Sequence, residues 1–169
     1  LDRLIGDLLS HTRMQQREIV PEEIDLTAIV ERVIEHVRRD RGGSPPDIAI
    51  VGSLGSARAD AVTLEHVFLN LVSNAIKFHR DGVPPVVRVH SEPLEGKLRV
   101  WVDDNGIGID PRFRQRVFGM FERVHPQLKI PGTGVGLAIV ATAMSRMGGR
   151  CGVEPNTPAG SRFWVEIPR

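Results

Sequence analysis

The sequence predicts an α+β fold, a two-layer sandwich in which helices cover one face of a mixed, mostly antiparallel sheet. Three observations carry this. Apolar residues recur at helical spacing near the start of the chain, over 26–37 and over 64–78. Short apolar or alternating runs bounded by Gly, Pro, Asn and Asp read as strands at 48–51, 86–90, 98–102, 150–154 and 162–167. Helices and strands segregate along the chain, and 41% hydrophobic content in 169 residues is ample for one domain's core with a short appended element.

In chain order, Leu1, Leu4, Ile5, Leu8 and Leu9 lie on one side of an amphipathic helix over residues 1 to about 17, with Asp2, Arg3 and Asp7 opposite. A lone two-sided helix of this size is marginal in water, so its stripe is expected to complete a bundle with a partner helix; packing on its own domain is the plainer reading. Pro21 breaks the chain, and Asp25 can cap a second helix built on Leu26, Ile29, Val30, Val33, Ile34 and Val37. Arg38, Arg39 and Arg41 read as its solvated end, and Gly42 to Pro46 as a turn. Ile48 to Val51 is a strand, and Asp60 caps the central helix. After the loop Arg80 to Pro85, strands Val86 to His90 and Leu98 to Val102 pair around Glu95, Gly96 and Lys97. Pro111 to Phe121 is helical in pattern, Glu122 to Pro131 is an irregular loop, and the helix Val135 to Met147 is stopped by Gly148 and Gly149. Strands Arg150 to Glu154 and Arg162 to Ile167 flank a Pro/Asn/Gly turn.

With 22 basic and 21 acidic residues mixed along the chain, no basic face for nucleic acid or anionic lipid is advertised. Cys151, the only cysteine, rules out an internal disulfide and a cysteine zinc site; it agrees with a reducing compartment and reads as a small core residue. No apolar run approaches the roughly 20 residues of a membrane span, and no leader is evident. The first residue is Leu, so a fragment of a longer protein is expected, with cytoplasmic location and no membrane contact of its own.

Chemistry concentrates in three stretches. On the central helix, LEHVFLNLVSNAIKF, the side chains of His66, Asn70, Ser73, Asn74 and Lys77 fall within about a third of the circumference, beside an apolar sector of Leu64, Val67, Phe68, Leu71, Val72, Ala75 and Phe78. Two carboxamides at i and i+4 with a lysine three residues later suit a hydrated Mg²⁺ carrying a polyphosphate. Ordinary surface asparagines are the plain alternative. In VDDNGIGID, a strand ends in Asp104 beside Gly106 and Gly108. A carboxylate there can accept a hydrogen bond from an exocyclic amine while the glycines admit a flat ring; a plain Asp/Asn/Gly turn competes. Calcium fails, because aligning Gly106 with a calcium-loop glycine puts Trp101 and Arg112 where acidic ligands belong. In GTGVGLAI, from Gly132, a helix starts among glycines whose N–H groups can cradle phosphate, or which simply turn the chain. A P-loop needs Gly-Lys-Ser/Thr, and a dinucleotide fingerprint needs glycine where Leu137 stands.

Together the three supply a metal-binding amide pair with a lysine, a base-reading aspartate and a phosphate cradle. In order and placement they resemble the N, G1 and G2 boxes of the GHKL (Bergerat) ATP-binding fold; NLVSNAIKF, VDDNGIGI and GTGVGLAIV are most similar to the catalytic domain of sensor histidine kinases, over residues 22 to 169. Phe118 and Phe121 look like that family's F box, and the closing GSRFWVEIP like its last strands. FERVHPQLKIPGTG and His79 after Phe78 are similar to the phytochrome-like branch.

The resemblance implies that Asn70 and Asn74 hold Mg²⁺, that Lys77 pairs with phosphate, and that Asn70 and Lys77 carry the catalytic work. Asp104 takes the adenine amine, with Ser161 joined to it through water. Gly106 and Gly108 frame the ring, and Gly132, Thr133, Gly134, Gly136 and Leu137 follow the triphosphate of ATP. Arg123, His125 and Lys129 of the lid are candidates to approach the γ-phosphate. Residues 1–20, with LIGDLLSHTR, look like the end of the second helix of a dimerisation and phosphoacceptor hairpin, leaving 21–169 as the catalytic domain. The family's acceptor is a histidine followed by an acidic residue; His11, His36, His66, His79, His90 and His125 are followed by Thr, Val, Val, Arg, Ser and Pro. The acceptor is therefore expected on a hairpin outside this chain, in a homodimeric parent that serves a response-regulator receiver domain. A GHKL ATPase or anti-sigma-type serine kinase, and a non-catalytic nucleotide sensor, are the alternatives.

Overall fold

The computed structural model describes residues 2–40, 45–124 and 130–169, with backbone alone at 2–4, 7, 8, 10 and 11. The turn read at Gly42 to Ser44, Arg41, His125, Lys129 and the side chains of Leu1, Leu4 and Leu8 lie outside these. The elements are α1 (Asp2–Gln16), β1 (Glu22–Asp25), α2 (Leu26–Asp40), β2 (Asp47–Ile50), β3 (Ser56–Ala59), α3 (Ala61–Lys77), β4 (Val86–Leu94), β5 (Lys97–Asp104), α4 (Gly136–Arg146), β6 (Arg150–Pro155) and β7 (Ser161–Pro168). Five strands form one sheet in the order β2-β4-β5-β7-β6, in which only β2 and β4 run parallel. This is the α+β sandwich that the sequence leads one to expect.

Alternation along β5 and β7 explains the two faces. Leu98, Val100 and Val102 with Phe163, Val165 and Ile167 point inward and are buried, meeting Val30 and Val33 of α2 and Leu64, Phe68 and Leu71 of α3. The intervening residues form a ladder on the helix-free face: Arg99 pairs with Glu166, Arg162 with Asp103, and Trp101 faces Trp164. Trp101 is only 5% exposed there, because the guanidiniums of Arg162 and Arg99 lie over its ring at 4.3 and 5.3 Å.

Two expectations change. Pro111–Phe121 is not one helix but two single 3₁₀ turns, Pro111–Phe113 and Arg116–Phe118. Asp110 caps the first through Arg112 N–H; Gly119 is extended at φ −75°, ψ 155° and ends the second, and the Phe121 N–H then reaches Gly134 O at 2.9 Å. The helical pattern reflected the burial of Val117, which a single turn achieves. The second change is a small antiparallel pair, β1 with β3, whose four-residue, polar strands carry too few apolar positions to show a period. Asp25 accepts from Thr27 N–H at 2.8 Å and Asp60 from Thr63 N–H at 2.8 Å, as their cap positions require, while Arg38 is not merely solvated but donates to Ile48 O at 2.9 Å.

Helix α1 meets the domain at its C-terminal end. Met14 is buried, whereas Ile5 and Leu9 are 48% and 51% exposed. Arg146, at the end of α4, donates to Met14 O and, at 2.6 Å, to Arg17 O. Those carbonyls lie in or just beyond the last turn of α1, where no intrahelical partner exists, so the guanidinium caps one helix from another. Below it, Asp60 receives Val20 N–H at 3.2 Å and stands 3.6 Å from the Arg17 guanidinium. Arg146→Gln is expected to accelerate tryptic cleavage after Arg13 and Arg17 severalfold while leaving the domain's melting temperature nearly unchanged. Unaltered cleavage would show that the cap does not hold this joint.

Candidate functional site

A cleft of about 360 Å³ opens between α3, the end of β5, the start of α4 and the loop that precedes it. Helix α3 turns Asn70, Ser73, Asn74 and Lys77 toward it because the opposite face, Leu64, Val67, Phe68, Leu71 and Val72, is fully buried. Asn70 Nδ2 donates to the His66 carbonyl at 2.9 Å, so its Oδ1 is left for the cleft, and a Cβ built on Gly136 would stand 2.7 Å from that oxygen. A Cβ on Gly132 would strike the Lys77 ammonium, which also lies 4.8 Å from the centre of the Phe78 ring. Glycine at 132 and 136 thus lets the loop and the helix start close on the polar stripe.

At the other end, Asp104 is 6% exposed. The N–H groups of Gly106 and Ser161 donate to its Oδ1 at 2.8 and 3.0 Å, and among the described residues nothing donates to Oδ2. Burial pushes its carboxyl pKa up to about 6; the two N–H donors pull the other way, and neighbouring Asp103 adds to the rise. Ile107, Ile109, Val117, Leu137 and Phe163 supply apolar walls around this acid. The result is one cavity with a shielded carboxylate among apolar walls at one end and amides, an ammonium and a glycine-rich helix start at the other.

Of the residues singled out in the sequence, Asn70, Asn74, Lys77, Asp104, Gly108, Gly132, Thr133, Gly134, Gly136, Leu137 and Ser161 line this cleft, as do Ser73 and Arg123. Gly106 does not; it sits behind Asp104, where a Cβ would collide with the Phe78 carbonyl and come within 2.9 Å of Asp104 Oδ1. His66 is exposed and off the cleft. Arg123 donates to Ile130 O at 3.0 Å, tying the two ends of the lid. Ser161 meets Asp104 directly by its N–H. Asn105, Asn156 and Gly160 were missed. Asn105 accepts from Val86 N–H at 2.9 Å and donates to Pro84 O at 3.0 Å, bracing the end of β5 from one side. Asn156 and Gly160 brace it from the other. Their only signal was a turn-forming composition, which does not say what a turn touches.

Such a sandwich, with a polar helical stripe facing a glycine-rich helix start across a buried aspartate, is a nucleotide-binding domain of the two-layer α/β type. Residues 59–169 match the family described as histidine kinase-, DNA gyrase B-, and HSP90-like ATPase. The chain belongs to that family. It is 33% identical over 168 residues to the phytochrome-like protein Cph1 of a Synechocystis species, covering 99% of this chain and 22% of that protein. It is 36% identical over 161 residues to the signal transduction histidine-protein kinase/phosphatase MprB of Mycobacterium ulcerans, covering 95% of this chain and 31% of the relative. Among solved structures it is similar to full-length ShkA in complex with AMPPNP, with TM-score 0.79 and 28% identity over 98% of this chain and 35% of that one. It is likewise similar to the mycobacterial sensor histidine kinase MprB, with TM-score 0.73 and 29% identity over 88% of this chain and 97% of that one. The chain thus spans less than a third of the length of these two curated relatives, and corresponds to the catalytic ATP-binding domain of histidine kinases.

Proposed function

We propose that this chain binds Mg-ATP in the cleft and presents its γ-phosphoryl group to a histidine on a hairpin of the parent protein, acting as the donor half of a sensor histidine kinase. The observation that carries this is the single cavity in which Asn70, Asn74 and Lys77 face Gly132 and Gly136 at one end while buried Asp104 closes the other.

Asp104, held by Gly106 and Ser161, accepts a hydrogen bond from the exocyclic amine of adenine, and the apolar walls take the faces of the ring. Lys77 pairs with phosphate oxygens brought in by the N-terminus of α4, where Gly136 leaves the N–H groups open to an anion. The amide oxygens of Asn70 and Asn74 fit a hydrated Mg²⁺, a hard cation that takes oxygen ligands and leans on phosphate for its anionic ones. When bound, the ion neutralises and orients the triphosphate for in-line transfer. Arg123 lies at the lid's root, within the cleft, and can exchange its bond to Ile130 O for a phosphate oxygen. Phosphoryl transfer depends chiefly on such positioning and charge neutralisation.

Among the described residues no helix is long and apolar enough to cross a membrane. We place the domain in the cytoplasm, where ATP is supplied. Residues 1–20 are the end of the second helix of the hairpin, which is supported by the exposed Ile5 and Leu9 on α1, and the parent is a homodimer that passes phosphate to a receiver domain.

Two tests follow. Incubated with Mg²⁺ and γ-labelled ATP, the chain is expected to bind nucleotide without labelling itself, and to label a separately supplied hairpin carrying a His-acid pair. Steady phosphate release with no transfer to such a hairpin would overturn the kinase reading. Second, the Asp104 pKa of about 6 sets a pH dependence. Adenine's amine needs the ionised carboxylate, so protonation competes with binding and affinity falls as pH drops through that value. ATP affinity relative to inorganic tripolyphosphate, which has three linked phosphates and no base, is expected to fall about tenfold between about pH 7.5 and about pH 5. A constant ratio would remove Asp104 from adenine recognition.

A further inference from the structure

The adenine-reading acid stands at the last rung of a ladder. On the β7 side of β5, the final paired register is Asp103 with Arg162; at Asp104 the chain leaves that strand. Its carbonyl is nevertheless bonded, because Asn156 Nδ2, from the turn between β6 and β7, donates to Asp104 O at 2.7 Å. The same turn packs Gly160 directly against the Asp104 carbonyl, and Ser161, where β7 begins, donates its N–H to the Asp104 carboxylate at 3.0 Å. Asn156 is itself fixed twice over: its N–H donates to Gly160 O at 3.1 Å, and its Oδ1 accepts from Thr157 N–H at 2.9 Å. The five-residue turn and the first residue of β7 therefore grip both ends of a single buried acid.

We infer that Asn156 is a positioning residue for base recognition, acting through Asp104; this rests on the nucleotide reading of the cleft. Its side chain extends the β5–β7 ladder by one bond at the point where the carboxylate must hold a fixed direction toward the base. No part of Asn156 lines the cleft, so it contributes through placement and not by contact with the ligand. Without the amide, the part-buried Asp104 carbonyl loses its partner and the carboxylate its fixed bearing.

Two substitutions in the full chain separate this role from turn formation. Asn156→Ala removes every side-chain bond. Asn156→Asp keeps the acceptor for Thr157 N–H and the bond to Gly160, and sets a charged acceptor in place of the donor to Asp104 O. Dissociation constants are measured by calorimetry for Mg-ATP and for Mg-tripolyphosphate, which has the phosphates and no base. Both variants are expected to bind Mg-ATP about tenfold more weakly and Mg-tripolyphosphate within about twofold of the unsubstituted chain. Three results would overturn the inference: Mg-ATP affinity unchanged in both variants, normal affinity in Asn156→Asp with loss only in Asn156→Ala, or equal loss for the two ligands. The second would make Asn156 a turn former and the third a general stabiliser. If Asn156→Ala does not fold, Asn156→Asp, which keeps both turn bonds, decides alone. An unsubstituted chain that bound no Mg-ATP would instead overturn the nucleotide reading itself, and this inference with it.

Discussion

Asp104→Asn is expected to weaken Mg-ATP binding severely and, at the same time, to raise the melting temperature of the nucleotide-free chain. Both effects come from one geometry. The carboxyl pKa of about 6 lies above the 3.8 of an unperturbed aspartate, so the folded chain holds this proton more tightly than the unfolded chain does. Ionisation therefore destabilises the fold: the cost is fully present above about pH 6, shrinks as pH falls, and is gone below about pH 3.8. At neutral pH it is on the order of 1–3 kcal/mol. Asparagine keeps an oxygen for the Gly106 and Ser161 N–H groups and carries no charge, so it recovers much of that energy, or about 2–8 °C in melting temperature for a chain of this size. For the ligand the change is adverse. The amide turns a donor toward the adenine amine, replacing a charge-assisted bond with two opposed donors, and affinity is expected to fall at least about a hundredfold. Calorimetry and a thermal scan on one preparation check both halves. A variant that bound normally, or that lost binding only because it melted lower, would contradict the account. Such a trade of stability for a poised acid is common at functional sites.

Gly160→Ala is expected to have the largest structural effect of any single methyl in the turn. Gly160 has φ +104°, which side-chain-bearing residues rarely adopt, and a Cβ there would overlap the Asp104 carbonyl while lying 2.7 Å from its carbon and 2.9 Å from Asn105 Cα. All three obstacles are backbone, so no rotamer relieves them. The β6–β7 turn must move off the end of β5, and the bonds to Asp104 go with it. A loss of about 3 kcal/mol or more is expected, together with nucleotide binding. The contrast is Gly82→Ala, also at positive φ but with nothing within 4 Å of the new Cβ. It is expected to cost about 1–2 kcal/mol from conformation alone and to spare binding. Equal losses at the two positions would mean that contact with Asp104 is not what matters at 160.

How far the sequence could be read follows the range of the forces involved. The face of α3 was legible because burial imposes a period: Leu64, Phe68, Leu71 and Val72 are fully inside, and Asn70, Asn74 and Lys77 are thereby turned toward the cleft. The strands β4, β5 and β7 were legible for the same reason, although β4 runs to Leu94 and β5 to Asp104, beyond the apolar residues that signalled them. Strand ends depend on where partners stop, which alternation does not encode. The segment 111–121 misled because Val117 and Phe118 meet the core with a helix-like pattern while Gly119 and the left-handed Phe121, at φ +62°, bend the chain back toward Gly134. Asn105 and Asn156 stayed hidden for a different reason. Each is a polar residue in a turn, and its role lies in a partner 19, 21 or 52 positions away.

The central claim is that the cleft is a base-selective site for Mg-ATP with Asp104 as the reader of the base. Titrating the unsubstituted chain with Mg-ATP and Mg-GTP tests it most directly, since guanine presents a carbonyl oxygen where adenine presents the amine. The account expects one ATP bound per chain and GTP at least about a hundredfold weaker, because the carboxylate would then face an acceptor. Equal affinity for the two nucleotides, or no binding of either, would contradict it.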